Sequence, residues 1–434
     1  IGVEVSAIGN HEWDLGSTAF AGSIVAGGGF VGAQYALVSA NIDVSGDSAI
    51  RGIADQTLGG AVANDFIFDE ASTLKGKIVP ATVVTKGGEK IGIVGATTQI
   101  LEAISSPTGT EIKGFPFGPG ANGETDNMLL LAMQLQPIID QMRADGINKI
   151  IVQSHLQNIA NEKQLATLLK GVDIILAAGS NTRLGDADDQ AEAFPGHAAD
   201  FADTYPLVIT DAEGGNTLIV NTDNEYTYLG RLKVDFDSEG NILVDNLAAD
   251  AAINGAYAST AENVAEAWGT TVDNLENTAF ANGTKGDKVR DLTDAVGNVI
   301  AVKDGNVFGY TDVYLEGERA FVRSEETNLG SLSADANAHA LREALGASED
   351  AIIVSFKNGG GIRAQIGTLS APDPVDGSVD KLPPPANPDA GKLEGGVSQL
   401  DIENSLRFNN QLMAFDTTAA GLKALLEHGV AAGM

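Results

Sequence analysis

The run Gly-Asn-His-Glu-Trp-Asp at residues 9–14 presents three functional groups within five positions. These are the amide oxygen of Asn10, the imidazole of His11 and the carboxylate of Asp14. An amide oxygen is a hard, neutral ligand for a divalent cation, and an imidazole beside it can serve a reaction at phosphorus. A loop in which Asn10 merely caps a helix would contain the same residues. The grouping of these three side chains directly after an apolar stretch makes residues 9–14 a candidate functional loop.

The elements that must position this run are predicted from the pattern around it. The apolar alternation over residues 3–8 indicates a short strand, which Gly9 ends. Residues 127–144 have helical periodicity and are followed by Gly146, and 149–152 is a buried strand with His155 just beyond it. Strand–helix–strand order is typical of an α/β fold, in which sites lie at the carboxyl ends of strands. A single His after a strand is also compatible with a structural hydrogen bond.

Residues 9–14 resemble the Gly-Asn-His-Glu signature of calcineurin-like metallophosphoesterases, and Trp13-Asp14 makes them similar to its 5′-nucleotidase branch. Residues 36–42, 91–98 and 154–182 resemble further segments of that family in the same order. The resemblance implies that the divalent metal ligands are Asn10, His155 and Asn181, at the ends of neighbouring strands of one sheet. It also implies that His11 stabilises charge on the phosphoryl group and that Asp14 orients His11.

Residues 178–181 depart from this family. Gly179 stands where the first His of the Gly-His-x-His motif would be, and Asn181 stands where the second His or a Gln would be. The loss of an imidazole ligand weakens the binding of zinc more than that of ions that prefer oxygen ligands. The two expected metal ions are therefore Mg²⁺, Mn²⁺, Ca²⁺ or Zn²⁺. His197, in an acidic and irregular loop, is an alternative ligand.

The second half of the chain contains residues that could bind a nucleotide. Residues 357–363 follow an apolar run expected to be a strand at 352–355, and their three glycines leave backbone N–H groups open before Arg363. A simple tight turn would also explain the three glycines. Phe408, later in the chain, could equally be an apolar core residue. However, 319–332, 357–363 and 406–410 resemble segments of the 5′-nucleotidase C-terminal domain. The resemblance implies substrate binding by Arg323, Asn358, Gly360, Arg363 and Phe408, with the Phe408 ring against the base.

Composition restricts the partners of this protein. The 434 residues include 59 acidic and 26 basic residues, a formal net charge of −33, and no Cys. This negative field disfavours nucleic acids and anionic membranes, and the absence of Cys excludes disulfides and thiolate metal sites. No apolar run approaches the length of a membrane span. With the family resemblance, this composition predicts a periplasmic or extracellular protein whose partner is a nucleotide.

The resemblance predicts a four-layer α/β metallophosphoesterase domain at 1–247 and a helical linker at 248–303. A smaller α/β nucleotide-binding domain is predicted at 304–434. It also implies that upstream metal motifs and the second aromatic residue of the base clamp lie outside the sequence, so truncation at both ends is expected. The predicted function is metal-dependent hydrolysis of nucleoside 5′-monophosphates. A metal-poor nucleotide-binding or structural relative, and a phosphoesterase for cyclic nucleotides or nucleotide sugars, remain alternatives.

Overall fold

The chain separates into two units, residues 1–281 and 282–434. The computed structural model describes residues 2–55, 68–114, 126–194, 197–348, 351–370, 379–408 and 410–431. The boundary between the units lies within the segment predicted as the linker. The predicted domain limits at 247 and 304 stay predictions.

The first unit combines short strands with helices on both sides. Its strands are β1 (Val5–Ala7), β2 (Ala36–Val38), β3 (Ile42–Asp43), β4 (Ile78–Val79), β5 (Ala81–Lys86), β6 (Glu89–Thr97), β7 (Glu111–Ile112), β8 (Ile150–His155), β9 (Ile174–Leu176), β10 (Leu207–Thr210), β11 (Asn216–Val220), β12 (Tyr228–Arg231) and β13 (Gly255–Ala258). Its helices are α1 (Ser17–Ile24), α2 (Leu101–Ile104), α3 (Met128–Ala144), α4 (Ile159–Leu168) and α5 (Ala261–Ala267).

Two sheets of this unit lie face to face. The smaller has the strand order β1-β2-β4, and the larger has the order β10-β11-β9-β8-β6-β5. An apolar cluster that includes Val5, Val38, Val84 and Ile93 joins the two sheets. Helices α3 and α4 pack on the outer face of the larger sheet, and α1 packs against residues of the smaller one. The resulting order of helix, sheet, sheet and helix confirms the predicted four-layer α/β architecture.

Helix α3 shows how local sequence and packing act together. The Asn127 side chain caps it by accepting a hydrogen bond from the backbone N–H of Leu130 at 3.1 Å. Leu131, Leu135 and Met142 recur at helical spacing and are fully buried against the larger sheet. Each fully buried side chain of this size contributes roughly 1.5–3 kcal/mol. The helix therefore holds β8, and with it His155, from behind.

The second unit has much less regular structure. Its helices are α6 (Lys285–Gly305), α7 (Arg319–Val322), α8 (Asn328–Leu345), α9 (Gln399–Ser405) and α10 (Ala419–Ala431). Its strands are β14 (Val307–Tyr310), β15 (Thr368–Leu369), β16 (Lys381–Leu382) and β17 (Gly396–Ser398), paired as β14-β17 and β15-β16. Its largest cluster of buried apolar residues consists of Leu315, Leu329, Ile362 and Ile366 within the described part.

A buried cluster of charges links three elements of the second unit. Lys392 Nζ lies 2.8 Å from Asp304 Oδ1 at the end of α6 and 2.8 Å from Asp401 Oδ2 in α9. Ser398 Oγ, at the end of β17, donates to Asp304 Oδ1 at 2.8 Å. Burial alone would raise the pKa of Asp304, but Lys392, Asn387 and Ser398 hold that pKa below its usual value. These polar contacts join α6, β17 and α9 in a unit whose largest described apolar cluster has four buried residues.

Three predicted elements are wrong in detail. Residues 352–355 form no strand, because residues 352–357 make no strand pairing within the described part of the chain. The break at Gly330-Ser331 predicts a helix over 331–345, but α8 begins at Asn328, since Thr327 Oγ1 accepts from the Gly330 N–H at 3.1 Å and caps it. Within the linker the sequence pattern predicts a helix over 261–275, but α5 ends at Ala267, and the 21-residue helix α6 begins at Lys285. Among the described residues, no helix has the length and apolar character needed to cross a bilayer.

Candidate functional site

Asn10 and His155 meet where the two sheets of the first unit face each other. Asn10 follows β1 of the smaller sheet, and His155 is the last residue of β8 in the larger sheet. His155 Nε2 lies 3.0 Å from Asn10 Oδ1. The expectation that these residues end strands of one sheet is wrong, because β1 pairs with β2 and β8 pairs with β6 and β9. Their role as metal ligands stays a prediction.

Two glycines make room for the His155 ring. A Cβ atom at Gly9 would lie 2.5 Å from Nδ1 of that ring, and one at Gly179 would lie 2.7 Å from its Cδ2. Gly179 also has a φ of +84°, which favours glycine. A side chain at either position would displace the imidazole. The glycine that departs from the family motif therefore also permits the observed position of His155.

His11 and Asp14 form a pair within one turn directly after Asn10. His11 Nδ1 lies 2.7 Å from Asp14 Oδ2, and the His11 side chain is 52% exposed. A carboxylate at this position favours the tautomer in which Nδ1 donates to Asp14, so that Nε2 is the ring nitrogen that does not contact Asp14. The ring centroids of His11 and His155 are 6.5 Å apart. Ser105 Oγ fixes the same turn by donating to the Asn10 carbonyl oxygen at 2.6 Å.

A buried polar network fixes the backbone that leads into Asn10. Asn41 Oδ1 accepts from the Thr97 N–H at 2.8 Å, and Asn41 Nδ2 donates to the Thr97 carbonyl at 2.7 Å. Thr97 Oγ1 donates to the Ile8 carbonyl at 2.8 Å and lies 2.7 Å from Ser39 Oγ. The side chains of Asn41 and Thr97 are wholly buried. Because each unpaired buried group costs about 1–3 kcal/mol, this network holds the end of β1 in one conformation.

Asn181 lies beside His155 without a hydrogen bond to it or to Asn10 among the described residues. It is exposed, with a φ of +52°, and it lines a cavity of 580 Å³ together with His155 and Gly179. The floor of this cavity includes Ile174 and Val220 of the larger sheet. Asn181 therefore borders the candidate site, and its role as a ligand stays a prediction.

His197 is engaged by carboxylates. Its Nδ1 lies 2.8 Å from Asp223 Oδ2, and its Nε2 lies 3.6 Å from Glu225 Oε2. Arg183 Nη1 lies 3.5 Å from the same Asp223 oxygen. Both nitrogens of the His197 ring are thus directed at acidic side chains and not at Asn10 or His155. This arrangement argues against His197 as a replacement metal ligand.

Burial determines the charge states near Asn10. It lowers the pKa of His155 to about 4, and the nearby His11 lowers this pKa further in the same direction. The imidazole is therefore neutral at pH 7, which is the form that ligates a metal. Burial also raises the pKa of Glu12, whose carboxylate accepts the Gly9 N–H at 2.8 Å. Through this hydrogen bond the Glu12 side chain stabilises the conformation of the loop at residues 9–12.

The donors around Asn10 fit a divalent cation that accepts neutral ligands. Asn10, His155 and Asn181 offer two amide oxygens and one imidazole nitrogen. In the part of the chain that the structure describes, no three His, Cys, Asp or Glu side chains are grouped so as to hold a metal ion. The two amide oxygens and one imidazole nitrogen of Asn10, His155 and Asn181 suit Mg²⁺, Mn²⁺ or Ca²⁺ better than zinc. Weak metal binding is expected because these three side chains include no carboxylate.

In the second unit, Arg323, Asn358 and Gly360 share one surface. Asn358 Oδ1 accepts the Gly360 N–H at 2.8 Å and caps the short turn at 359–361. A Cβ at Gly359 would lie 2.2 Å from the Val322 carbonyl oxygen, so only glycine fits there. A Cβ at Gly360 would lie 3.4 Å from Arg323 Nη2. The guanidinium therefore lies beside the open backbone of the glycine loop.

Arg363 and Phe408 form a second contact in this unit. The guanidinium carbon of Arg363 lies 5.2 Å from the centroid of the Phe408 ring, a cation–π arrangement. The Arg363 N–H donates to the Ser405 carbonyl at 2.8 Å, which holds the two segments together. Phe408 is half-buried and is not part of the cluster around Ile362. Asn409 lies outside the described residues. The base-binding role of Phe408 stays a prediction.

Comparison with known proteins gives consistent similarities. Residues 307–433 match the model of the 5′-nucleotidase C-terminal domain. The chain is 26% identical to mouse (Mus musculus) 5′-nucleotidase over 369 residues, covering 84% of this chain and 50% of the relative. It is 25% identical to a trifunctional nucleotide phosphoesterase protein of Bacillus subtilis, covering 99% of this chain and 23% of the relative. The chain thus spans half or less of these curated relatives.

A solved structure shares this fold. The 5′-nucleotidase precursor of Thermus thermophilus matches with a TM-score of 0.59 and 25% identity. The match covers 99% of this chain and 64% of that chain. The likeness therefore extends over both units.

Proposed function

We propose that this chain, which belongs to the 5′-nucleotidase family, is a metal-dependent hydrolase that releases phosphate from nucleoside 5′-monophosphates. The family relationship supports nucleotide phosphoester hydrolysis in general. The choice of nucleoside monophosphates, the dinuclear metal site and a periplasmic or extracellular location are further parts of the proposal.

The observation that carries it is the His11–Asp14 pair beside the Asn10–His155 contact. Asn10, His155 and Asn181 would hold the divalent cation, which would supply positive charge to the phosphoryl oxygens and activate water. His11 Nε2 donates a hydrogen bond to the phosphoryl group as negative charge develops there. Asp14 accepts from Nδ1, keeps the ring oriented and stabilises its positive charge. The ring centroids of His11 and His155 are 6.5 Å apart, so both imidazoles lie near the same turn.

The second unit would hold the nucleoside. Arg323 beside the glycine loop supplies a cation for polar groups of the substrate, and Asn358 keeps that loop in its observed turn. Phe408 presents an aromatic surface whose stacking energy depends little on base identity. Broad tolerance of the base is therefore expected, with Arg363 moving off the ring or remaining on its opposite face.

The decisive experiment is hydrolysis of AMP by the chain with Mn²⁺ or Mg²⁺, compared with a His11→Ala variant. Loss of the hydrogen-bond donor should lower kcat by about 10²–10⁴ with little change in KM. His339→Ala is the matched control, since His339 is an exposed residue of α8 in the other unit. An unchanged kcat in His11→Ala would refute the assignment.

A nucleotide-binding relative with little turnover is the second candidate. The neutral donor set around Asn10, with Gly179 in place of an imidazole, favours it. In that case AMP would bind to the chain, but with every divalent cation the hydrolysis of AMP would be no faster than in the His11→Ala variant.

A further inference from the structure

Gln157 contacts the candidate metal site although no motif points to it. Its Nε2 lies 2.6 Å from Asn10 Oδ1, the same oxygen that lies 3.0 Å from His155 Nε2. Gln157 follows His155 by two residues, at the point where the chain leaves β8. Three side chains therefore place a nitrogen or oxygen atom around one small volume.

The spacing of these atoms is that of neighbouring ligands on one ion. An octahedral cation with metal–oxygen distances of about 2.1 Å places adjacent donor atoms about 3.0 Å apart. The hydrogen-bonded separations of 3.0 and 2.6 Å equal this spacing and lie somewhat below it, so an ion would require only a small outward shift of Gln157. Rotation of the Gln157 carboxamide by 180° replaces its NH₂ group with an oxygen, which is the ligand that Mg²⁺, Mn²⁺ and Ca²⁺ prefer.

The backbone at Gln157 adopts a conformation that is costly for a residue with a side chain. Its φ is +67°, a conformation that glycine adopts freely and that L-residues rarely adopt. A Cβ at Gly179 would lie 2.8 Å from His155 Nε2 and 3.0 Å from the Gln157 backbone nitrogen. Position 179 thus has no space for a ligand while His155 and Gln157 keep these places, and Gln157 reaches the site from the adjacent segment.

We propose that Gln157 is a metal ligand of this chain, its amide oxygen taking the part that a side chain at position 179 does not supply. The inference rests on the metal site of the proposed function and adds one residue to it. Gln157, Asn10 and His155 would then supply three ligands on one side of the ion, namely two amide oxygens and one imidazole nitrogen.

The test measures Mn²⁺ binding by calorimetry and by the electron paramagnetic resonance of the free ion, without substrate. Gln157→Gly should weaken Mn²⁺ binding about tenfold or more, a loss of the size seen for groups that support a metal. Gln157→Glu should strengthen it, because a carboxylate adds charge to a neutral donor set. Gln157→Asn keeps the amide and tolerates a positive φ but is one methylene shorter, so it should resemble the glycine variant.

Thermal unfolding separates ligation from relief of backbone strain. Gln157→Gly should raise the metal-free Tm and reduce the increase in Tm that Mn²⁺ produces. Tyr226→Gly is the matched control: Tyr226 has a φ of +60° and is 91% exposed. It should raise the metal-free Tm and leave Mn²⁺ binding unchanged.

The outcomes distinguish the two proposals. If Gln157→Gly binds Mn²⁺ as tightly as the parent while His155→Ala loses binding, Gln157 only orients Asn10 and this inference is overturned. If the parent and all variants fail to bind Mn²⁺, the metal site of the proposed function is overturned as well.

Discussion

The two candidate sites are held in place by different means. In the first unit, Asn10 and His155 lie on strand ends supported by a buried polar network and by apolar layers on both sides. In the second unit, Arg323, Asn358 and Arg363 are exposed on loops, and the largest described apolar cluster has four buried residues. A site that must place ligands within a few tenths of an ångström is built on rigid strands, whereas a surface that accepts different bases tolerates loops.

The largest effect is expected from the buried charges of the second unit. Lys392→Met removes the cation between Asp304 and Asp401 and leaves two carboxylates facing each other, which should cost about 3–5 kcal/mol of unfolding free energy. Urea denaturation followed by circular dichroism measures this cost. Lys303→Met is the control, because the ion pair between Lys303 and Glu403 is exposed and should contribute only about 0–1 kcal/mol. Equal effects would mean that burial of the cluster does not stabilise this unit.

A somewhat smaller effect is expected in the polar network that supports the candidate metal site. Asn41→Ala removes the buried partners of the Thr97 N–H and carbonyl groups, which should cost about 2–4 kcal/mol. Thr97 Oγ1 also donates to the Ile8 carbonyl, two residues before Asn10, so the variant should displace Asn10 and lower the affinity for Mn²⁺. Calorimetry measures this affinity. Asn148→Ala is the matched control, since Asn148 is exposed and its loss should change stability by no more than about 0.5 kcal/mol. Reduced stability with unchanged Mn²⁺ affinity would show that the network supports the fold alone.

The smallest effect is expected at Phe408. Phe408→Ala should weaken AMP binding by about 1 kcal/mol, roughly fivefold, at the lower end of aromatic stacking energies because the ring already contacts Arg363. Hydrolysis of p-nitrophenyl phosphate, which has no base, should be nearly unchanged. Equal losses on both substrates would identify Phe408 as a structural residue and would remove the proposed contrast between the units.

The sequence-based predictions agree with the structure where neighbouring residues determine an element. Around 127–155 the helical periodicity, the terminating glycine at position 146 and the buried strand that leads to His155 agree with the structure, because each is encoded by neighbouring residues. The apolar run at 352–355 also has a strand-like pattern, yet it forms no strand. Strand formation requires hydrogen bonds from a second segment, and a local pattern cannot supply them.

The sequence by itself determined which chemical groups are available. It placed Asn10, His11 and Asp14 in one turn after a strand, and the i,i+3 spacing of His11 and Asp14 makes their contact a local property. It also excluded thiolate ligands and identified the missing imidazole at Gly179.

Only the tertiary structure decided which groups meet. Asn10 and His155 belong to different sheets and are 145 residues apart, so their 3.0 Å contact depends on how the sheets pack. Asn41 and Gln157 lie in segments that resemble the family, but the resemblance assigns them no role, and Lys392 lies in no motif. Their contacts follow from burial and from partners that other elements supply. Periodicity and turn chemistry act over a few residues, whereas ligand sets and buried polar networks form only where separate elements exclude water together.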